Sequence, residues 1–174
     1  MKKKSLLLLA AVALVGMLAV GCGKEEAKEP EKVIPETVED ITAAYKEANP
    51  AVTESIIFTE ENDPNEALGR PNQYIGKADL SIEGVEELNE DKAQGLSGGT
   101  IETFNNEKDC DARAEYLKAF MDPAMGAFGV DQYTYKYKKM IFRISHSVTP
   151  ENAAKYKELM DGILEETGEE IVFE

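Results

Sequence analysis

Histidine occurs once in this chain of 174 residues, cysteine twice, and 19 basic side chains face 34 acidic ones. Each shortage closes off a class of function. His146 alone cannot supply the several ligands a metal site needs, and no serine or cysteine is paired with it by spacing for nucleophilic attack. It falls in phase with Phe142 and Ile144 at an expected strand end, so it reads as a packed or edge residue. The acidic excess, a formal net charge of −15, would be repelled by phosphate backbones and argues against nucleic acid as a partner. Glu60, Glu61, Asp63 and Asn65 offer enough oxygens for calcium, but the D-x-[DN]-x-[DN]-G spacing is missing, and the run reads as a solvated acidic loop. The sequence names no cofactor, no metal and no catalytic motif.

The long apolar run, Leu6 to Val20, is short for a membrane span, which wants roughly 20 apolar residues. It follows Lys2, Lys3 and Lys4 and ends in small residues before Cys22, the layout of a secretory signal. Leu18-Ala19-Val20-Gly21-Cys22 resembles the lipobox of bacterial lipoproteins, with Ala19 where Leu is commonest and Leu18 one place earlier. That resemblance implies a diacylglyceryl group on the Cys22 thiol, loss of residues 1–21, and a place on the outer face of the bacterial cytoplasmic membrane. A plain secretory signal with an incidental cysteine is the alternative. Stable anchoring takes about two acyl chains, which a diacylglyceryl group supplies. Loss of the leader takes the balance to −18, 16 basic against 34 acidic side chains. Cys110 is then the only free thiol, and the fold must hold by its core without a disulfide.

Residues 22–36 contain GKEEAKEPEKVIPE, which cannot bury a core and reads as a charged flexible tether. Residues 37–174 read as a single α+β domain. Thr37-Val38-Glu39-Asp40 caps a short helix with Val38, Ile41 and Tyr45 on its apolar face, ended by Asn49-Pro50. Ser55 to Phe58 reads as a brief strand, residues 73–80 alternate as another, and 82–99 shows no period and reads as loop. Gly99 to Phe104 reads as a strand. Asn105 or Asn106 caps a helix with Cys110, Ala114, Leu117 and Met121 on one face, stopped by Asp122-Pro123. The phase of Cys110 assigns it to the core rather than to reactivity. Gln132 to Tyr137 and Met140 to Ser145 form a hairpin, and Thr149-Pro150 starts a helix with Ala153, Tyr156, Met160, Ile163 and Leu164 inward. Gly168 follows that helix, and Glu170 to Glu174 forms a last short strand. From residue 99 the order is strand, helix, strand, strand, helix, strand, which predicts a ferredoxin-like βαββαβ sandwich: an antiparallel sheet with its helices on one face.

Asp63-Pro64-Asn65, the heptad Leu68-Gly69-Arg70-Pro71-Asn72-Gln73-Tyr74 and Gly98-Gly99-Thr100-Ile101-Glu102 resemble segments of a group of small lipoproteins from Gram-positive bacteria. The resemblance spans most of residues 55–165, and the heptad is its specific part. The group has no settled activity, so the likeness implies location and fold more than function. Its members tend to carry an Asn-Gly type turn where this chain has Tyr137-Lys138-Lys139-Met140, and Lys accommodates φ > 0 poorly.

Two surfaces are candidates. In the first, Arg70 is a carboxylate fork, Asn72 and Gln73 offer amides, and Tyr74 adjoins them as a ligand loop; turn chemistry with Arg70 paired to a nearby acid explains the same residues. In the second, Lys136, Lys138 and Arg143 share the hairpin face opposite Tyr133, Tyr135 and Tyr137, either as a basic surface for an anionic partner or paired across strands with acids such as Glu102. The expected function is a lipid-anchored, noncatalytic binding module. Its partners are the membrane, through Cys22, and a cell-envelope protein or wall polymer. A structural or stress-response surface protein without a ligand is the alternative. A hydrolase would need a cleft with perturbed acids or histidine. A pocket uniting Arg70, Asn72 and Tyr74 would favour a small ligand, and a flat face carrying Lys136 and Arg143 a macromolecule.

Overall fold

A computed structural model describes residues 33–120 and 132–172. The first helix, α1 (Val38–Ala48), starts where the Thr37 hydroxyl accepts the Asp40 N–H at 3.1 Å and stops where the Asn49 N–H bonds the Tyr45 carbonyl at 2.8 Å. Asn106 caps α2 (Glu107–Phe120) by accepting the Asp109 N–H at 3.0 Å, and Thr149 caps α3 (Pro150–Leu164) with Pro150 as its first residue. These starts lie where local capping chemistry places them. The C-terminal end of α3 differs: Glu165 takes the left-handed conformation at φ 51°, and Gly168 instead makes room for the Tyr137 ring, whose Cζ a Cβ would meet at 2.5 Å.

The strands are β1 (Val52–Ile57), β2 (Gly76–Ile82), β3 (Gly99–Thr103), β4 (Gln132–Lys136), β5 (Met140–Ser145) and β6 (Glu169–Glu170). They form one antiparallel sheet in the order β1-β2-β3-β5-β4-β6. Between β4 and β5 neither Lys138 nor Lys139 adopts positive φ, and the Tyr137 N–H closes the turn on the Met140 carbonyl at 2.8 Å. Met121, Asp122-Pro123 and the end of the expected last strand fall outside the described residues.

One face of the sheet is apolar. Ala78, Leu80 and Ile82 of β2, Ile101 of β3, Phe142 and Ile144 of β5 and Tyr135 of β4 meet α1 through Val38, Ile41 and Tyr45 and α3 through Ala153, Tyr156 and Met160. Tyr133 packs half-buried against this layer, and Tyr137 is within it, so the tyrosines face the core as the alternation predicts. Full burial of each such large side chain is worth about 1.5–3 kcal/mol.

The α+β class with an antiparallel sheet stands, but the arrangement departs from the ferredoxin-like expectation in two respects. The last strand lies against β4, pairing Tyr135 with Glu170, whereas the flank of β3 is taken by β2. Furthermore, the helices are not all on one face: α2 packs Cys110, Ala114 and Leu117 against Ile141, Phe104 and Tyr74 on the side opposite α1 and α3. One cause accounts for both. The connections β3–α2–β4 and β5–α3–β6 each step over one strand in the same lateral direction, and β3 and β5 run antiparallel. Right-handed crossovers of that kind must send their helices to opposite faces.

Candidate functional site

The second face of the sheet is polar and nonetheless buried. Strand alternation puts Lys77, Asp79 and Ser81 of β2, Thr100 and Glu102 of β3, Arg143 and Ser145 of β5, and Gln132 and Thr134 of β4 on it. Described segments fold over it: the loop at 59–74, the loop at 83–98 and α2.

Each cover is fastened to one acid of the sheet or to one acid bonded to it. Asp63 holds the first loop. Its carboxylate accepts the Tyr74 hydroxyl at 2.6 Å, the N–H groups of Ala67 at 2.9 Å, Leu68 at 3.0 Å and Asn65 at 3.3 Å, and the Lys77 ammonium at 3.1 Å. Burial alone would push its pKa up, but these donors bring it down to about 2. Burial and the anionic neighbour both push the Tyr74 phenol well above its ordinary range.

Glu102 holds α2. Its side chain is 0% exposed and takes a two-pronged contact from Arg113, Nε at 2.9 Å and an Nη at 2.7 Å, with an Nη of Arg143 at 3.1 Å. Burial opposes its charge, but Arg143, Arg113 and Lys77 outweigh that and hold the carboxyl below its usual range. The Arg113 guanidinium also lies 5.7 Å from the Tyr74 ring centroid and 5.3 Å from that of Tyr116, within cation–π reach of both.

Asp79 holds the loop at 83–98. It accepts the Thr100 hydroxyl at 2.9 Å and the Leu96 N–H, and Gly95 passes so close that a Cβ there would sit 2.7 Å from Oδ2. Burial raises its carboxyl above the ordinary value, with Lys77, Thr100 and Arg143 offsetting only part of that. The loop is braced further by Glu87, which accepts the Ser81 hydroxyl and the Ser97 N–H, and by an ion pair from Lys92 to Glu54.

A cleft of about 660 Å³ opens between the two loops, with Glu60, Glu61, Asp63, Glu66 and Arg70 on one side and Ala93 and Gln94 on the other. No protein-family model matches this chain, and no curated protein or solved structure does either. The geometry therefore stands on its own.

Among the sequence candidates, Arg70 lines the cleft with its side chain 62% exposed, reaching Glu66 at 3.5 Å. Asn72 is exposed at φ 61°, and Gln73 is half-buried. Tyr74 points the other way, fully buried against Asp63. The heptad thus divides into an outward half and an anchoring half, and the cleft does not unite Arg70 with Asn72 and Tyr74. Lys136 and Arg143 do share one face of the hairpin, but they form no exposed basic stripe. Arg143 is bound to Glu102, the cross-strand acid, and Lys136 pairs with Asp111 at 2.7 Å. Lys138 is exposed at the turn. The acidic run at residues 60–65 is not uniformly solvated, because Asp63 is buried in an ion pair. Among the described residues no cluster of His, Cys, Asp or Glu is placed to hold a metal ion. Cys110 is buried, its thiol pushed up to about 12 by desolvation, in keeping with a core role. Exposed His146 stacks edge-on against Tyr133 at 4.0 Å.

Sequence reading missed Lys77, Asp79 and Arg113. Their signal was present for the strand pair: Lys77-Ala78-Asp79-Leu80-Ser81 alternates polar and apolar. Alternation of that sort reads as one wet face, whereas here both faces are covered.

Proposed function

We propose that this chain is a lipid-anchored, noncatalytic binding module, tethered through Cys22 to the outer face of a bacterial cytoplasmic membrane, and that its ligand element is the loop at 59–74 with the adjoining cleft. One observation carries the reading: the loop is fixed from below and free above. Asp63 gathers donors from four residues of the loop and one of the sheet, while Arg70 and Asn72 stay exposed at its surface. Two non-glycine residues in this short stretch, Glu66 and Asn72, take positive φ, backbone strain of the sort retained at binding loops, while Gly69 adopts it freely. A preorganised loop loses little entropy on binding.

The same geometry speaks against acid–base chemistry. Efficient proton transfer wants a pKa near the working pH. Asp63, the perturbed acid that lines the cleft, is held far below neutrality, and its partner Tyr74 far above. The likeness of the heptad and its flanks to small Gram-positive lipoproteins supports the same location.

The test is capture of a partner from the native cell envelope by the domain beginning at Val33, beside Arg70→Ala. The unaltered domain should retain a partner that Arg70→Ala loses, with both proteins melting at the same temperature because Arg70 is exposed. Recovery of the same partner by both would remove Arg70 from the site.

A further inference from the structure

Lys77 occupies the centre of the buried polar face with its side chain 4% exposed. Its ammonium lies 3.1 Å from Asp63 and 4.4 Å from the centroid of the Phe58 ring. Glu102 stands directly opposite it in the β2–β3 register, and Asp79 follows two residues along the same strand on the same face. Its charge acts favourably on both of those carboxylates. The charged groups facing it are therefore Asp63, Asp79 and Glu102, with Arg113 and Arg143 beyond Glu102. Asp63 fastens one wall of the cleft, and Asp79 fastens the other through Leu96 and the close pass of Gly95.

We propose that Lys77 is a positioning residue that joins the two walls of the cleft, so that the loop at 59–74 and the loop at 83–98 hold or loosen together. The physical reason is charge sharing. One buried ammonium compensates two acids, Asp63 within the first loop and Asp79 on β2, which holds the second loop through Leu96. When it is removed, both acids lose compensation at once, and each relieves the cost by letting its loop admit water. The relevance to a ligand rests on the cleft being the binding site, but the coupling itself does not.

Hydrogen exchange on the protein isolated from its cells tests this. In Lys77→Met, amides of residues 63–69 and of 95–98 should both exchange faster, on the order of a hundredfold, as expected where a buried charge pair is broken. Amides of β3 and β5 should keep their rates. Lys77→Arg should restore both loops. Acceleration confined to residues 63–69 overturns the proposal, as does an equal acceleration everywhere, which would mean global destabilisation. If Lys77→Met does not accumulate, Asp63→Asn and Asp79→Asn decide. Each should alter exchange in the loop anchored by the other acid, and the double variant should be non-additive. A response confined to each acid's own loop overturns the proposal. Failure to capture any partner would leave this result standing, so the two readings fail separately.

Discussion

Asp63 is a single carboxylate with five donors directed at it, and its chemistry sets an acid limit on the fold. Its folded pKa of about 2 is below the ordinary Asp value of about 3.9, so the stability it confers is fully present above pH about 4 and is lost as pH falls towards 2. Near-ultraviolet circular dichroism should show tyrosine packing weakening across that window. In Asp63→Asn the step should shrink to the part that Glu102 and Asp161 contribute, with a loss of about 3 kcal/mol at neutral pH because Lys77 loses its hydrogen-bonded carboxylate. An unchanged acid profile in the variant would refute this role. The sequence marked Asp63 as part of a candidate loop, but its role as the buried anchor was not legible, for a simple reason. It sits in a polar run, and its chief partners, Tyr74 and Lys77, are 11 and 14 residues away. The heptad was legible as special. Which half of it faces outward was not, because that depends on the sheet beneath.

At the scale of elements, legibility followed locality. The caps at Thr37, Asn106 and Thr149 were readable because each acts on an N–H three residues on. The stretch 82–99 had no period to read, because between backbone bonds at its ends (Glu83 to Ala51, Gly98 to Leu80) it holds a single 3-10 turn, Lys92–Gln94, and is fixed by side chains: Glu87 on Ser81 and Ser97, Asp91 on the Ala93 N–H at 3.0 Å, and Asp79 on Leu96. Two glycines in it separate conformational strain from close contact. Gly95 has φ 117° and lies against the Asp79 carboxylate, whereas Gly84 has φ 82° with nothing within 4 Å of a Cβ. Gly84→Ala should therefore cost about 1 kcal/mol, and Gly95→Ala about 3 kcal/mol or more, because Asp79 must also move. Urea denaturation midpoints compare them directly. Equal losses would mean that the contact over Asp79 contributes nothing.

At the scale of the molecule, the element order from residue 99 was legible and the strand order was not. The order strand, helix, strand, strand, helix, strand fits more than one sheet. Here β2, which precedes that run, occupies the flank of β3, so β6 goes to the far edge and α2 to the far face. The location proposed for the molecule rests on Cys22. Mass spectrometry of the mature protein should find a diacylglyceryl group on Cys22 as the first residue, and Cys22→Ser should abolish both that mass and membrane retention. Met1 retained, or position 22 bare, would remove the anchor from the proposal. Finally, a sheet with one oily side and one ionic side keeps its own alignment honest. A one-residue slip of β2 would carry Lys77 and Asp79 into the hydrocarbon layer and strand Ala78, Leu80 and Ile82 among charges. Mispaired versions of this sheet are thereby penalised on both sides at once, leaving the chain a single correct way to zip.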